Sequence, residues 1–479
     1  MASRKERLVV VGGVAAGMSA ASAAKRTRSE MEVIVFEKSP FISYGACSIP
    51  YYISDEIKDY RELIAVTPDA AEKERSLVVR TLHEVTAILP EQKEVLVRSL
   101  EKGKEERVAF DKLVIATGAI PIKPPLSGID LQHVFTLRTL EDALAVKRYI
   151  DDWSTRDACV GSPECAYVKS LSADKGERPR VVIVGGGYIG LEMCESFRKR
   201  GLDVTVVEKM DRVLGTMDMS ITAIVEEKLQ NEGVKLFKET TVLGFEGADG
   251  RLSRVLTDKG NLDTDFVILS IGVRPESTLA EKAGVVLSVN KAIGVDAHMR
   301  TNLPDIYAAG DCADAISIVT GKKVYIPLGT TANKQGRIAG ENAAGRETDF
   351  EGVAGTAQTK IFDLEVARTG LTSVDAEREK IPYIASTVHG RSRAKAYPAG
   401  KPIFITYVVE RDTGKLLGAQ MVGQEGVALR IDTLAAALYG RMTIEDVARL
   451  DLGYAPPFAT VWDPILVAAN VALKKMGKR

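Results

Sequence analysis

Short apolar runs punctuate this chain, and the first of them ends in glycine. "RLVVVGGVAAGMSAASAAKR" predicts a buried strand over Leu8 to Val11, a tight turn, and an Ala-rich helix from near Val14. "EVIVFEK" predicts a second strand ending at Glu37. Strand, glycine turn, helix, strand, and an acid about twenty residues after the last glycine make the dinucleotide-binding pattern. Amides at the helix N-terminus meet a pyrophosphate, and the acid accepts hydrogen bonds from a ribose. Gly12 and Gly17 fit, but Val14 stands where the second glycine is expected, so this copy alone is a weak signal. A second block, "RPRVVIVGGGYIGLEMCESFRKRGLDVTVVEK", carries Gly185, Gly187 and Gly190 at full spacing and closes on Glu208. Two such units point to two dinucleotides brought face to face.

Other blocks extend the pattern. "DKLVIATGA" and "NLPDIYAAGDCAD" each predict an apolar strand running into small residues and glycine, where a backbone can approach a cofactor closely. Asp311 then falls at a strand's carboxyl end, the usual ligand side of an open parallel sheet. "DMSITAIVEEKLQNEGVKLFKE" predicts an amphipathic helix leading to a strand, and "PLGTTANKQGRIAGENAAG" a further helix. After residue 350, alternating strands ("KPIFITYVVE", "KLLGAQMVG") precede helices, as in an antiparallel sheet with helices on one face. A length of 479 residues suggests about two to four domains. With 64 basic and 65 acidic residues, bulk charge implies neither a nucleic-acid nor a membrane partner. Five sparse cysteines without framework spacing fit a reducing compartment, so a cytoplasmic location is expected. The N-terminus has the charged-then-apolar order of a signal peptide, but its apolar run continues into the glycine turn.

Taken together, "GGVAAGMSAA", "SYGACSIPYY", "ATGA", "GGGYIGLE", "AAGDCA", "PLGTTANKQGRIAGENAAG" and "YAPPFATVWDPILVAAN" resemble the FAD-dependent pyridine nucleotide–disulfide oxidoreductases. The similarity covers nearly the whole chain and is greatest to the single-cysteine branch: coenzyme A disulfide reductases, NADH oxidases and peroxidases, and persulfide or polysulfide reductases. It implies an α/β fold with two Rossmann-like domains and a C-terminal α+β dimerisation domain. The expected division is residues 1–115 with 274–349 for FAD, 116–273 for NAD(P)H, and 350–479 for a homodimer interface. FAD contacts are expected at Gly12, Val14, Ala15, Gly17, Glu37, Lys38, Thr117, Gly118, Gly310, Asp311, Thr330 and Thr331. NAD(P)H contacts are expected at Gly185, Gly187, Tyr188, Ile189, Gly190, Glu192, Glu208 and Gly272. Glu208 favours NADH, while Lys209 and Arg212 soften the repulsion of NADPH.

"SYGACSIPYY" holds one cysteine, Cys47, where dithiol reductases carry two. A pair stores oxidising power as an internal disulfide; a lone Cys47 stores it as a mixed disulfide, a persulfide or a sulfenic acid. Its thiolate is expected to be favoured by the local field and by contact with oxidised flavin. Cys194 and Cys312 are expected to be packing residues. Peroxidases and many water-forming oxidases of the branch place a histidine in the first glycine loop; here that residue is Ala15, so the proton donor for O–O cleavage is missing. Reduction of a small disulfide or polysulfide is therefore favoured. The alternatives are an NADH oxidase using oxygen and a redox-responsive binding protein with little turnover. The resemblance makes Ser43, Cys47 and Tyr454 the catalytic candidates. Lys25, Arg26, Arg61 and Lys73 are candidate coenzyme A phosphate ligands, against the reading of a solvated helix face. Only Tyr397 remains of two tyrosines usual before the C-terminal-domain proline, which leaves polysulfide open beside coenzyme A disulfide. A polar insertion at about 153–179 holds Cys159 and Cys165; with no histidine or cysteine pair beside them, no metal is expected.

Overall fold

The computed structural model describes residues 5–154 and 178–477, so Cys159 and Cys165 lie outside the described residues. Leu8, Val9 and Val10 are fully buried, which requires a strand covered on both faces, and the sheet around them is all parallel. Its order is Ile306–Ala308, Lys112–Ile115, Arg7–Val11, Glu32–Phe36, Val78–Arg80. The second apolar block builds the same arrangement: Val134–Thr136, Phe266–Leu269, Arg180–Val184, Asp203–Val207, Lys235–Phe237. Each unit carries a three-stranded antiparallel meander, at residues 83–109 in the first and 242–263 in the second. The two units are joined by a ribbon pairing Ala119–Pro121 with Val273–Pro275.

Helix Ala15–Thr27 follows the first glycine turn and crosses helix Gly329–Ala343 at backbone contact distance. A Cβ on Gly336 would meet the Ala16 carbonyl oxygen at 2.2 Å, and one on Gly340 the Ala20 oxygen at 2.1 Å. That contact covers the first glycine turn from one side.

The third sheet is antiparallel, in the order Ala357–Ile361, Leu364–Gly370, Leu416–Gly423, Pro402–Glu410, Tyr383–Arg391. Helices Val427–Tyr439 and Pro464–Lys475 share one core with it, through Ile431, Leu434, Ile465 and Ala468. Its other side packs on the second nucleotide unit: Ile361, Leu364, Val366 and Val422 belong to the core that holds Leu191 and Phe197. At roughly 1.5–3 kcal/mol per fully buried aliphatic side chain, this shared core fixes the third sheet firmly against helix Tyr188–Lys199. Among the described residues no helix is long and apolar enough to cross a membrane.

Candidate active site

The two glycine turns are near-copies. Gly12 and Gly185 both have φ of +104°, open to glycine alone, and a Cβ on either would strike a carbonyl oxygen of the neighbouring strand's end. Gly17 and Gly190 let the helix sit on the turn: their Cβ atoms would lie 1.8 and 2.2 Å from the Gly12 and Gly185 oxygens. No side chain caps either helix, with Val14 and Gly187 at the cap positions, so first-turn amides are left for an anion. A Cβ on Gly187 would meet nothing within 4 Å, which leaves room for a pyrophosphate. These features fit two dinucleotides.

Each acid is built into its turn. Glu37 accepts from Gly13 N at 2.6 Å and Ser39 N at 2.8 Å; Glu208 accepts from Gly186 N at 2.7 Å and Met210 N at 2.8 Å. Carboxylate oxygens have lone pairs to spare, so a ribose hydroxyl can still donate to each. Burial pushes the Glu37 carboxyl up, partly offset by its two amide donors. Lys38 beside it is exposed. Thr117 Oγ1 donates to the Glu276 carbonyl at 2.5 Å, Gly118 and Gly272 take positive φ, and Ile122 N donates to the Gly272 oxygen. Gly310 N is held by Gln335 Oε1 at 2.9 Å, presenting Asp311 at the strand's carboxyl end. Helix Gly329–Ala343 starts uncapped at Leu328, with Thr330 exposed and Thr331 buried. Tyr188 is largely enclosed, and Ile189 packs beside it in the shared core.

Cys47 lies in a 3-10 turn, Ala46–Ser48, that runs into helix Ile49–Ile53. Ser43 launches it: a φ of 47° bends the chain, Ser43 N donates to the Gly13 oxygen at 2.9 Å, and Ala65 N donates back to Ser43 O. This ties the cysteine segment directly to the first glycine turn. Cys47 is exposed, whereas Cys194 and Cys312 are buried with their thiols directed at backbone carbonyls, as packing residues should be. The local field differs from expectation. Enough protein surrounds the Cys47 sulfur to push its pKa up by desolvation, and the Glu192 and Asp311 carboxylates push it further, while Arg138 opposes them. The protein's own groups therefore favour the thiol, chiefly because burial disfavours the thiolate and the two acids add to that effect.

Arg138 is a site residue that the sequence pattern missed. Its Nη2 donates to Asp311 Oδ2 at 2.7 Å and its Nε to the Ala119 oxygen at 3.1 Å. It sits outside every glycine block, in an "LRTLED" stretch whose only signal is a basic residue before a helix. The basic candidates scatter. Lys25 donates to the Met31 oxygen at 2.8 Å and lines a surface groove of about 440 Å³ with Lys5 and Glu30; Cys47 does not line it. Arg26 and Lys73 are exposed, while Arg75, the last residue of the short helix capped by Thr67, reaches Ser22 Oγ at 3.1 Å. Arg61 is paired with Asp59 at 2.5 Å. Tyr397 is exposed beneath the Arg393 guanidinium, and Tyr454 is exposed in a segment without regular structure.

Two parallel nucleotide units, one exposed cysteine among the described residues and an antiparallel third domain define a two-dinucleotide oxidoreductase. The family model for pyridine nucleotide-disulphide oxidoreductase matches residues 6–336, and that family's dimerisation domain matches residues 356–464. The chain belongs to this family. It is 39% identical over 468 residues to an "NAD(P)H sulfur oxidoreductase (CoA-dependent)" of Pyrococcus abyssi, covering 98% of each chain. It is 37% identical over 475 residues to an "NADH oxidase" of Methanocaldococcus jannaschii, covering 99% of this chain and 100% of the other. Among solved structures, an NAD-dependent persulfide reductase from A. fulgidus superposes with a TM-score of 0.90 at 35% identity, over 98% of this chain and 83% of that one. The protein is a flavoprotein oxidoreductase that uses FAD and NAD(P)H.

Proposed function

We propose that this protein is a homodimeric flavoenzyme that reduces a small disulfide, persulfide or polysulfide through Cys47. One observation carries the reading: among the described residues Cys47 is the sole exposed cysteine, and it is tethered through Ser43 to the first glycine turn. The relatives named for sulfur and persulfide reduction support it. When bound, NADH and FAD supply a hydride whose two electrons reach sulfur. The chain's part is to hold the two dinucleotides on Glu37 and Glu208, present Cys47 from a turn set by Ser43, and set Arg138 against part of the acidic field near the sulfur.

The domain division proposed is 1–115 with 274–349, 116–273, and 350–479. Tyr454, Phe458, Val461 and Trp462 leave 48%, 77%, 65% and 62% of their surfaces exposed on one segment, more apolar area than a solvated loop supports. A second copy covering this segment would bring its own Tyr454 near Cys47, where a phenol can protonate a departing thiolate. A second reading, reduction of oxygen, is favoured by the relative named as an NADH oxidase. Against it stands Ala15 in the first glycine loop. The described histidines are engaged elsewhere: His83 with the Thr81 carbonyl, His298 with Asp349, His133 on Tyr149 and His389 on Phe404.

The test is anaerobic NADH consumption with coenzyme A disulfide and with polysulfide, beside consumption in air with no sulfur substrate. Sulfur-dependent turnover well above the aerobic rate is expected. An aerobic rate equal to or above both sulfur rates would replace this reading with the oxidase.

A further inference from the structure

Helix Tyr188–Lys199 starts at the NAD(P)H turn and then runs beside the segment that carries Cys47. Their contacts climb in register. Ser196 Oγ donates to the Pro50 oxygen at 2.8 Å, Arg200 reaches the Ile53 oxygen and Asp55, and Lys199 pairs with Glu56 at 2.6 Å. Moving one turn back from Ser196 gives Glu192, on the same helix face. Moving one turn back from Pro50 gives Cys47. The two elements therefore place the Glu192 carboxyl on the Cys47 side, one turn past Tyr188 of the nucleotide loop.

Glu192 and its neighbour Glu195 are held very differently. Glu195 is buried between two ammonium groups, Lys199 at 2.7 Å and Lys360, and also accepts from Phe362 N at 2.9 Å. Glu192 has no cation partner among the described residues; its one hydrogen bond is from Thr359 Oγ1 at 2.7 Å, contributed by the edge strand of the third sheet. Desolvation raises its pKa, and Glu195 adds to the rise. The groups around the pair come from five parts of the chain. Cys47 faces Glu192, Asp311 and Arg138, while Glu192 faces Thr359, Glu195, and the phenols of Tyr188 and Tyr51. A negative charge on Glu192 opposes one on Cys47.

We propose that Glu192 holds the proton of the Cys47 half-reaction, so that the two groups carry one negative charge between them, with Thr359 as the positioning residue. This rests on the sulfur-reductase reading for its substrate but not for the pairing itself. The balance is simple. A hydride is two electrons and a proton; the electrons break the S–S bond of the Cys47 mixed disulfide, one sulfur stays as the Cys47 thiolate, and the proton leaves on the released thiol. Glu192 lies between the nucleotide loop that receives the hydride donor and the sulfur that needs the proton. No outside reductant or acid is needed.

The experiment uses the flavin-loaded protein with Cys159→Ser and Cys165→Ser, thiol-reduced and cleared of reductant under nitrogen. Iodoacetamide alkylation of Cys47 is followed across pH in this background and with Glu192→Gln or Thr359→Val added. Removing the carboxylate should lower the Cys47 midpoint and raise alkylation at neutral pH by about threefold or more. Thr359→Val removes the donor that favours ionised Glu192, so it should give a smaller rise in the same direction. Stopped-flow release of thiol from the mixed disulfide should slow by about a hundredfold in Glu192→Gln. Superimposable alkylation profiles in all three proteins would overturn the pairing. A shifted profile with thiol release at the parental rate would overturn the proton's delivery. Absence of any disulfide turnover, with the profile shifted, would instead count against the sulfur-reductase reading alone.

Discussion

The turn at Gly12 to Gly17 and the turn at Gly185 to Gly190 share their φ angles, their helix seating and a carboxylate clamped by two amides, yet they are finished differently. In the first, the cap residue is Val14, Glu37 is buried, and helix Gly329–Ala343 lies against Ala16. In the second, the cap residue is Gly187 with open space around it, and Glu208 is half-exposed. The first is a socket for a group that stays; the second is a dock for one that comes and goes. The departure at Val14 becomes intelligible here: the second glycine of the pattern is dispensable in a site closed by neighbouring helices.

The comparison breaks most sharply at the third glycine. Gly17→Ala drives a methyl to 1.8 Å from a backbone oxygen, and overpacking of this kind costs about 1–3 kcal/mol or more. Purified Gly17→Ala should be largely flavin-free with a lowered Tm, measured by absorbance and thermal unfolding. Gly187→Ala, by contrast, meets no protein atom within 4 Å. It should keep parental flavin content and Tm, and raise the KM for NADH by about tenfold. If Gly187→Ala lost flavin as well, the two turns would not have separate duties.

A smaller effect is expected at Glu208. Its carboxylate already serves two backbone amides, so it repels a 2′-phosphate with only part of its capacity. Exposed Lys209 lies beside it, and Arg212 is directed toward Asp211 at 3.5 Å. Turnover should prefer NADH without excluding NADPH, and Glu208→Gln should narrow the ratio of kcat/KM values. Equal or better use of NADPH by the parent protein would contradict the assignment.

Much of this was legible in the chain because glycine turns are local. A strand, a positive-φ glycine and a helix are specified within about ten residues of sequence, and both units read correctly from "RLVVVGG" and "RVVIVGG". The strands and helices after residue 350 were legible for the same reason, through their alternation. What was not legible depends on partners far apart in sequence. Arg138 meets Asp311 across 173 positions, and Thr359 meets Glu192 across 167. No periodicity announces either contact. The field at Cys47 was not legible for the same reason, since burial comes first and the acids that add to it come from two other elements. Lys25 shows the converse: a basic residue in a suggestive motif gives one of its three donors to a nearby carbonyl, here Met31.

The central claim is that Cys47 alone carries electrons from the flavin to sulfur. The direct measurement is anaerobic stopped-flow of Cys47→Ser, mixed first with NADH and then with coenzyme A disulfide or polysulfide. Flavin absorbance should bleach with NADH at close to the parental rate and then stay bleached when the sulfur substrate arrives. Reoxidation of the bleached flavin by either sulfur substrate at the parental rate would contradict the account.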